Sequence, residues 1–328
     1  MELIDRKADV VTNLQDMEDL HTMPSFPIFM GCVDHPEDQD ICAEMTWQIN
    51  KRSGLIQLKK LIPLDVLYQT SHDAGEVGSI WKKHHQHFAK FVSKANPCSV
   101  LELGGGHGIL AKNYEQIKNI PWVIVEPNPT PVDGCNARFI RNFFDENFEF
   151  GDEFDTVIHS HVFEHIYNPN EFMRQLSNFM SAGKKLVFSL PNMRTMLERK
   201  YSNCLNFEHT VFLTEPYVDY LLSKHGFKLV EKKYFLEDHS IFYSFVRDPN
   251  IKPMMLDRDL YHQNKNLYLD YVNFYKKSIS DLNDKIKSVS APVYLFGAHV
   301  FAQILIKMGL SSEKIVCLLD NAKNKHGR

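Results

Sequence analysis

The stretch Glu102-Leu103-Gly104-Gly105-Gly106-His107-Gly108 follows the apolar run Ser99-Val100-Leu101 and leads into a helical pattern reaching Tyr114. A strand that stops in a glycine cluster and resumes as a helix opens a βαβ unit. Glycines at such a turn let the backbone approach a ligand that any Cβ would hold away. The spacing here is Gly-x-Gly-x-Gly, whereas the dinucleotide fingerprint puts two residues before its third glycine. Trp122-Val123-Ile124-Val125, Arg138-Phe139-Ile140, Phe154-Asp155-Thr156-Val157-Ile158 and the run 185–190 read as further strands. Pro169 to Met180 and 211–225 read as helices, and 228–235 and 239–246 as two last strands. Strands separated by helix-length segments predict an α/β fold with a mostly parallel sheet.

Two carboxylates close the first two strands. Glu102 would repel a pyrophosphate but suits a cationic amino-acid group such as that of S-adenosylmethionine (SAM). Glu126 lies 22 positions beyond Gly104, where a carboxylate accepts hydrogen bonds from both hydroxyls of a ribose.

The segment 99–246 resembles the class I SAM-dependent methyltransferases. The residues that carry the likeness are Val100 to Gly108, Val123-Ile124-Val125-Glu126-Pro127, Phe154 to Ile158, Val162-Phe163-Glu164-His165-Ile166 with Asn168-Pro169, and Leu190-Pro191-Asn192. The resemblance implies a Rossmann-like sheet in which Glu102, Gly104, Gly106, Gly108 and Glu126 hold SAM, with Asn142 and Phe143 near its adenine. After the fourth strand stands His159-Ser160-His161-Val162, where methyltransferases acting on base or glutamine nitrogens carry Asn/Asp-Pro-Pro-Tyr/Phe. Strand alternation would place His159 and His161 on one face, but no third ligand is evident and no metal site is expected.

The flanks extend the likeness. Leu55-Ile56-Gln57-Leu58, Leu67-Tyr68 and Asn206-Phe207-Glu208-His209-Thr210-Val211-Phe212 resemble the sugar C-methyltransferases of deoxysugar biosynthesis. That family has a tyrosine-bearing loop before the SAM domain and a Tyr-His-Glu-His stretch after the fifth strand, of which only the Glu-His half stands here. It also ends in a helix and a Gly-Ala βαβ unit, to which Phe296-Gly297-Ala298 and Asp320 are similar. Its zinc-binding cysteines are missing: Asn50-Lys51-Arg52-Ser53-Gly54 stands where Cys-x-x-Cys-Gly belongs, so no zinc is expected. The resemblance implies methyl transfer to a carbohydrate or nucleotide-linked sugar, at carbon or oxygen. The catalytic candidates are His209 as base with Glu208 orienting it, Tyr68 closing over the acceptor, and His165 as a second base. An O-methyltransferase of another small metabolite, or a SAM-binding assembly protein without turnover, are the alternatives.

Three domains are expected: an irregular, Pro-punctuated segment 1–72 that covers substrate, the methyltransferase domain 73–247, and 248–328. The last begins with a linker around Asp248-Pro249, continues as a helix marked by Leu260, Leu267, Tyr271, Phe274, Ile279, Leu282 and Ile286, and ends as a partial Rossmann-like βαβ unit. Lys plus Arg number 37 against 41 Asp plus Glu, a net charge of −4; a mildly acidic chain lacks the footprint of a general nucleic-acid binder. No 18-residue apolar run suggests a membrane span, and the charged N-terminus has no secretion-signal core. The six cysteines form no Cys-x-x-Cys pair. A cytoplasmic protein with reduced thiols is expected. His84, His85 and His87 sit with Lys82 and Lys83 in a helical pattern and are expected on its solvated basic face.

Overall fold

The computed structural model describes residues 1–29, 39–68 and 78–327; the expected domain boundary at 72 and the position of Cys32 lie outside them. The chain forms two compact units, one from Met1–Leu67, Met193–Phe212 and Asp257–Arg328, the other from Tyr68–Asn192 and Leu213–Leu256.

In the second unit, helix α1 (Ser79–Lys94) precedes strand β1 (Val100–Leu103), helix α2 (Ile109–Glu115) and strands β2 (Trp122–Val125), β3 (Arg138–Ile140) and β4 (Thr156–Ser160). Helix α3 (Pro169–Phe179), β5 (Lys185–Pro191), helix α4 (Glu215–Lys224), β6 (Phe227–Phe235) and β7 (Ser240–Arg247) complete it. The seven strands lie in the order β6-β7-β5-β4-β1-β2-β3, with β7 antiparallel to both neighbours and β1 to β5 mutually parallel. This is the α/β sheet expected from the sequence. All four residues of β1 and of β2 are buried, as central parallel strands covered on both faces must be.

One face of the sheet packs Ile124, Ile158, Val187 and Phe242 against Phe88, Phe91 and Val92 of α1 and Leu110 and Tyr114 of α2. Each such side chain withdrawn from water contributes about 2 kcal/mol. Helix α3 starts where Asn168 Oδ1 receives the Glu171 amide, with Pro169 in its first turn, a cap and a preset φ that suit a helix N-terminus. The helix read over 211–225 is shorter than expected. Thr214 and Pro216 start it at Glu215. Val211 and Phe212 belong to the first unit and hydrogen-bond to a strand within it.

In that unit an antiparallel sheet pairs Met17–Pro27 with Cys42–Asn50 and the latter with Ile56–Leu58. Gln57 bridges Val211, the Phe212 amide reaches Ile56 O at 2.9 Å, and the Leu58 amide reaches Thr210 O at 2.9 Å. Trp47 is fully buried between the rings of Phe212 and Tyr268, at 4.8 and 6.4 Å. The Asn50–Gly54 turn is held by hydrogen bonds: Asn50 Oδ1 receives the Arg52 and Ser53 amides, and Ser53 Oγ donates to Asp9. The long helix is Leu260–Ser288, and the last βαβ unit pairs Val293–Phe296 in parallel with Ile315–Leu319 across helix Val300–Lys307.

Candidate active site

The chain leaves β1 through Gly104, Gly106 and Gly108, with φ of +67°, +52° and +75°. Side chains with a Cβ avoid that left-handed region. Packing adds a second reason at two of the three. A Cβ on Gly104 would stand 2.7 Å from Val162 Cγ2, and one on Gly108 2.6 Å from Cys135 Sγ. At Gly106 a Cβ would meet nothing within 4 Å, so this part of the turn faces open space.

Glu126, half-buried at the end of β2, receives the Gly106 amide on Oε2 and the Asn128 amide on Oε1, each at 3.1 Å. A carboxylate thus borders the open side of the turn. Asn142 and Phe143 follow β3 and are exposed, with the Phe143 amide donating to Asn142 Oδ1 at 2.8 Å. Glu102 lies beneath the turn instead. It is buried, accepts Trp122 Nε1–H at 2.7 Å, and would be touched by a Cβ on Gly105 at 2.8 Å. Burial pushes its carboxyl up to about 7, against the pull of the Trp122 hydrogen bond.

Beyond β4 the chain turns sharply, because His161 takes φ +53°. This separates the two histidines that alternation had placed on one face. His159 is buried and stacks on Phe188 at 4.7 Å, where burial pushes it down to about 3. His161 turns toward Glu164 and Ser240, its Nδ1 3.2 Å from Glu164 Oε1. A bulky residue held at positive φ marks a place where the surrounding structure imposes strain.

His165, in the single turn Phe163–His165, holds Nδ1 3.3 Å from the Tyr68 hydroxyl and Nε2 3.9 Å from Glu164 Oε1. The His165 ring thus stands between the Tyr68 hydroxyl on one nitrogen and the Glu164 carboxylate near the other. Glu164 is buried, which pushes its carboxyl up to about 7. Glu208 and His209 belong to the other unit. Both their amides donate to Asn206 Oδ1, at 2.9 and 2.7 Å, and Asn206 Nδ2 lies 3.4 Å from His209 Nδ1.

His84 corrects an expectation. It is fully buried rather than on a solvated face, because it shares the apolar stripe of α1 with Trp81, Phe88 and Phe91. Its spacing from Trp81 and Phe88 carried that signal in the sequence. Nothing in the sequence joins it to His239, 155 positions away, whose ring lies 5.5 Å from its own.

Residues 76–232 match the family model of a methyltransferase domain. No curated protein matches the chain. Among solved structures, magnesium protoporphyrin IX methyltransferase from Synechocystis, with bound S-adenosylhomocysteine, is 17% identical over 52% of this chain and 89% of that one, with a TM-score of 0.41. The N-methyltransferase NodS from Bradyrhizobium japonicum is 13% identical over 53% and 99%, with a TM-score of 0.39. An O-methyltransferase family protein from Burkholderia thailandensis is 16% identical over 52% and 56%, with a TM-score of 0.40. No helix among the described residues is long and apolar enough to cross a membrane.

Proposed function

We propose that this chain, whose residues 76–232 match the family model of a methyltransferase domain, is a SAM-dependent methyltransferase that acts on a carbohydrate or nucleotide-linked sugar at carbon or oxygen. The observation that carries the reading is the meeting of Gly106 and Glu126 at neighbouring strand ends, 3.1 Å apart. The open side of the glycine turn and the bordering carboxylate fit a ribose with its two hydroxyls. Gly104, Gly106 and Gly108 shape the cradle, Glu126 receives the ribose, and Asn142 and Phe143 border the adenine. Glu102 supports the turn from below.

Bound SAM supplies a methyl group on a sulfonium, open to in-line displacement. The protein's share is to align the acceptor and to remove its proton. Tyr68 and His165 suit that task. The acceptor's proton passes through the Tyr68 hydroxyl to His165 Nδ1, 3.3 Å away, and Glu164 behind Nε2 at 3.9 Å balances the imidazolium. The sugar acceptor is supported by the sequence likeness and by one structural fact. The two segments that carry that likeness, Leu55–Leu58 and Asn206–Phe212, are joined by the Gln57–Val211 bridge and its flanking hydrogen bonds.

Mass spectrometry of reactions with SAM and a panel of nucleotide-linked sugars, keto and hydroxyl forms, tests this, with Glu126→Ala as the blank. A methylated sugar absent from the blank is expected. Methyl transfer to other small metabolites alone, or SAM binding with no product from any acceptor, overturns the sugar reading.

A further inference from the structure

One cluster of histidines among the described residues plays no part in the function proposed above. His84, His161 and His239 come from α1, from the turn after β4 and from the residue before β7, all within one unit. Each offers one ring nitrogen within 4.8 Å of the others'. The ring centroids are 5.1 Å apart for His84 and His161, 5.5 Å for His84 and His239, and 6.1 Å for His161 and His239. The Trp81 ring rests against all three, at 5.2, 4.8 and 4.9 Å.

We propose that His84, His161 and His239 bind a late first-row divalent cation, of the class of Zn2+, next to the Ser240 hydroxyl. The partners of two of the rings point to that spot. Ser240 Oγ lies 2.9 Å from His161 Nε2 and 2.6 Å from His239 Nδ1, so two ring nitrogens converge on one buried point. His84 is fully buried, and among the described residues neither of its nitrogens has a hydrogen-bond partner. A buried imidazole with both nitrogens unsatisfied forfeits the solvation of those groups, and coordination removes that deficit.

Glu164 supplies a second, independent sign. Among the described residues its buried carboxyl oxygens have no hydrogen-bond partner, and Oε1 lies 3.2 Å from His161 Nδ1. A histidine that binds metal through one nitrogen directs the N–H of the other at a carboxylate, which fixes the ring and its tautomer. With the cation on Nε2, the His161 Nδ1 proton faces Glu164, and the buried carboxylate gains a compensating charge.

Three neutral imidazoles with room for a fourth ligand suit Zn2+, Co2+ or Ni2+ far better than Mg2+ or Ca2+, which take oxygen donors. Bonds of about 2.0 Å set the nitrogens of a tetrahedral site about 3.3 Å apart. The rings therefore close inward on binding, displacing the Ser240 hydroxyl or taking it as a ligand.

The test needs neither SAM nor an acceptor, so it stands apart from the methyl-transfer reading. The full chain, stripped with a chelator and desalted, is equilibrated with Zn2+, separated from free ion by gel filtration and measured for bound zinc. One equivalent is expected in the parent, with loss of that equivalent in His161→Gln and His239→Gln and weakened retention, about 10–100-fold, in Glu164→Gln. Co2+ is expected to give the visible bands of a four-coordinate site and to quench a part of the tryptophan emission that Trp81→Phe lacks. That last readout leaves all three ligands intact, so it decides the matter even where a histidine variant fails to fold. No retained zinc in the parent, full retention in folded His161→Gln and His239→Gln, or Co2+ quenching unchanged by Trp81→Phe each overturns the proposal.

Discussion

The Glu126 carboxylate receives the Gly106 amide at 3.1 Å, although the two residues stand 20 positions apart in the chain. They meet because β1 and β2 are parallel neighbours in register, Leu103 opposite Val125, so the residues that follow each strand emerge at the same sheet edge. Parallel sheets gather their ligand-binding groups at the carboxyl ends of the strands for this reason.

Removing that carboxylate tests the donor site. Glu126→Ala is expected to weaken SAM binding about 10–100-fold, the cost of one or two hydrogen bonds to a charged group, while leaving the thermal midpoint near that of the parent. Isothermal titration with SAM and a melting curve check both halves.

The glycines of the turn separate fold from ligand. Gly104→Ala meets Val162 Cγ2 at 2.7 Å and a φ of +67°, and is expected to cost about 1–2 kcal/mol of stability from the backbone alone, with more from the contact. Gly106→Ala meets only the backbone term, having nothing within 4 Å, and its methyl enters the space assigned to the ligand. Denaturant unfolding is expected to rank Gly104→Ala as the less stable, and SAM titration to rank Gly106→Ala among the poorer binders.

The Tyr68 and His165 pair is expected to control turnover without controlling SAM affinity. His165→Gln should lower kcat about 100-fold or more, the range of a lost general base, and Tyr68→Phe about tenfold. A kcat within a few-fold of the parent in His165→Gln would move the base to His209, and His209→Gln then decides it.

Buried carboxyls give the stability a definite pH dependence. Burial raises Glu102 to about 7, above its ordinary 4.5, so the folded protein holds a proton that the unfolded chain releases. The stabilisation is full below pH 4.5 and is lost as the pH rises through about 7. Glu164, raised to about 7 by burial, acts in the same direction. Glu102→Gln retains an acceptor for Trp122 and cannot ionise. Its melting temperature is expected to fall less than the parent's between about pH 6 and pH 8.5.

The strands, the glycine turn and the acidic residues at the first two strand ends were legible in the sequence because local rules set them. A buried parallel strand is an apolar run, and a turn at positive φ calls for glycine. The same rules located the long helix, since its apolar stripe repeats every three to four residues. Where a local rule met a tertiary contact, the contact prevailed. Val211 and Phe212 carry on the helical pattern of 211–225, yet they hydrogen-bond to the Ile56–Leu58 strand, which only the folded chain brings near them. Strand alternation likewise put His159 beside His161, until the left-handed turn at His161 separated them.

By itself the sequence determined the α/β sheet, the order of its strands along the chain and the glycine turn after the first of them. The tertiary structure alone decided which side chains meet: His165 with Tyr68, 97 positions apart, and His84 with His161 and His239, drawn from three separate segments. The reason lies in the range of the forces. Backbone preferences and apolar periodicity act over a few neighbouring residues. The pairing of polar groups in a core depends on crossovers that bring distant segments to one sheet edge, where burial makes each unmet hydrogen bond costly enough to fix its partner.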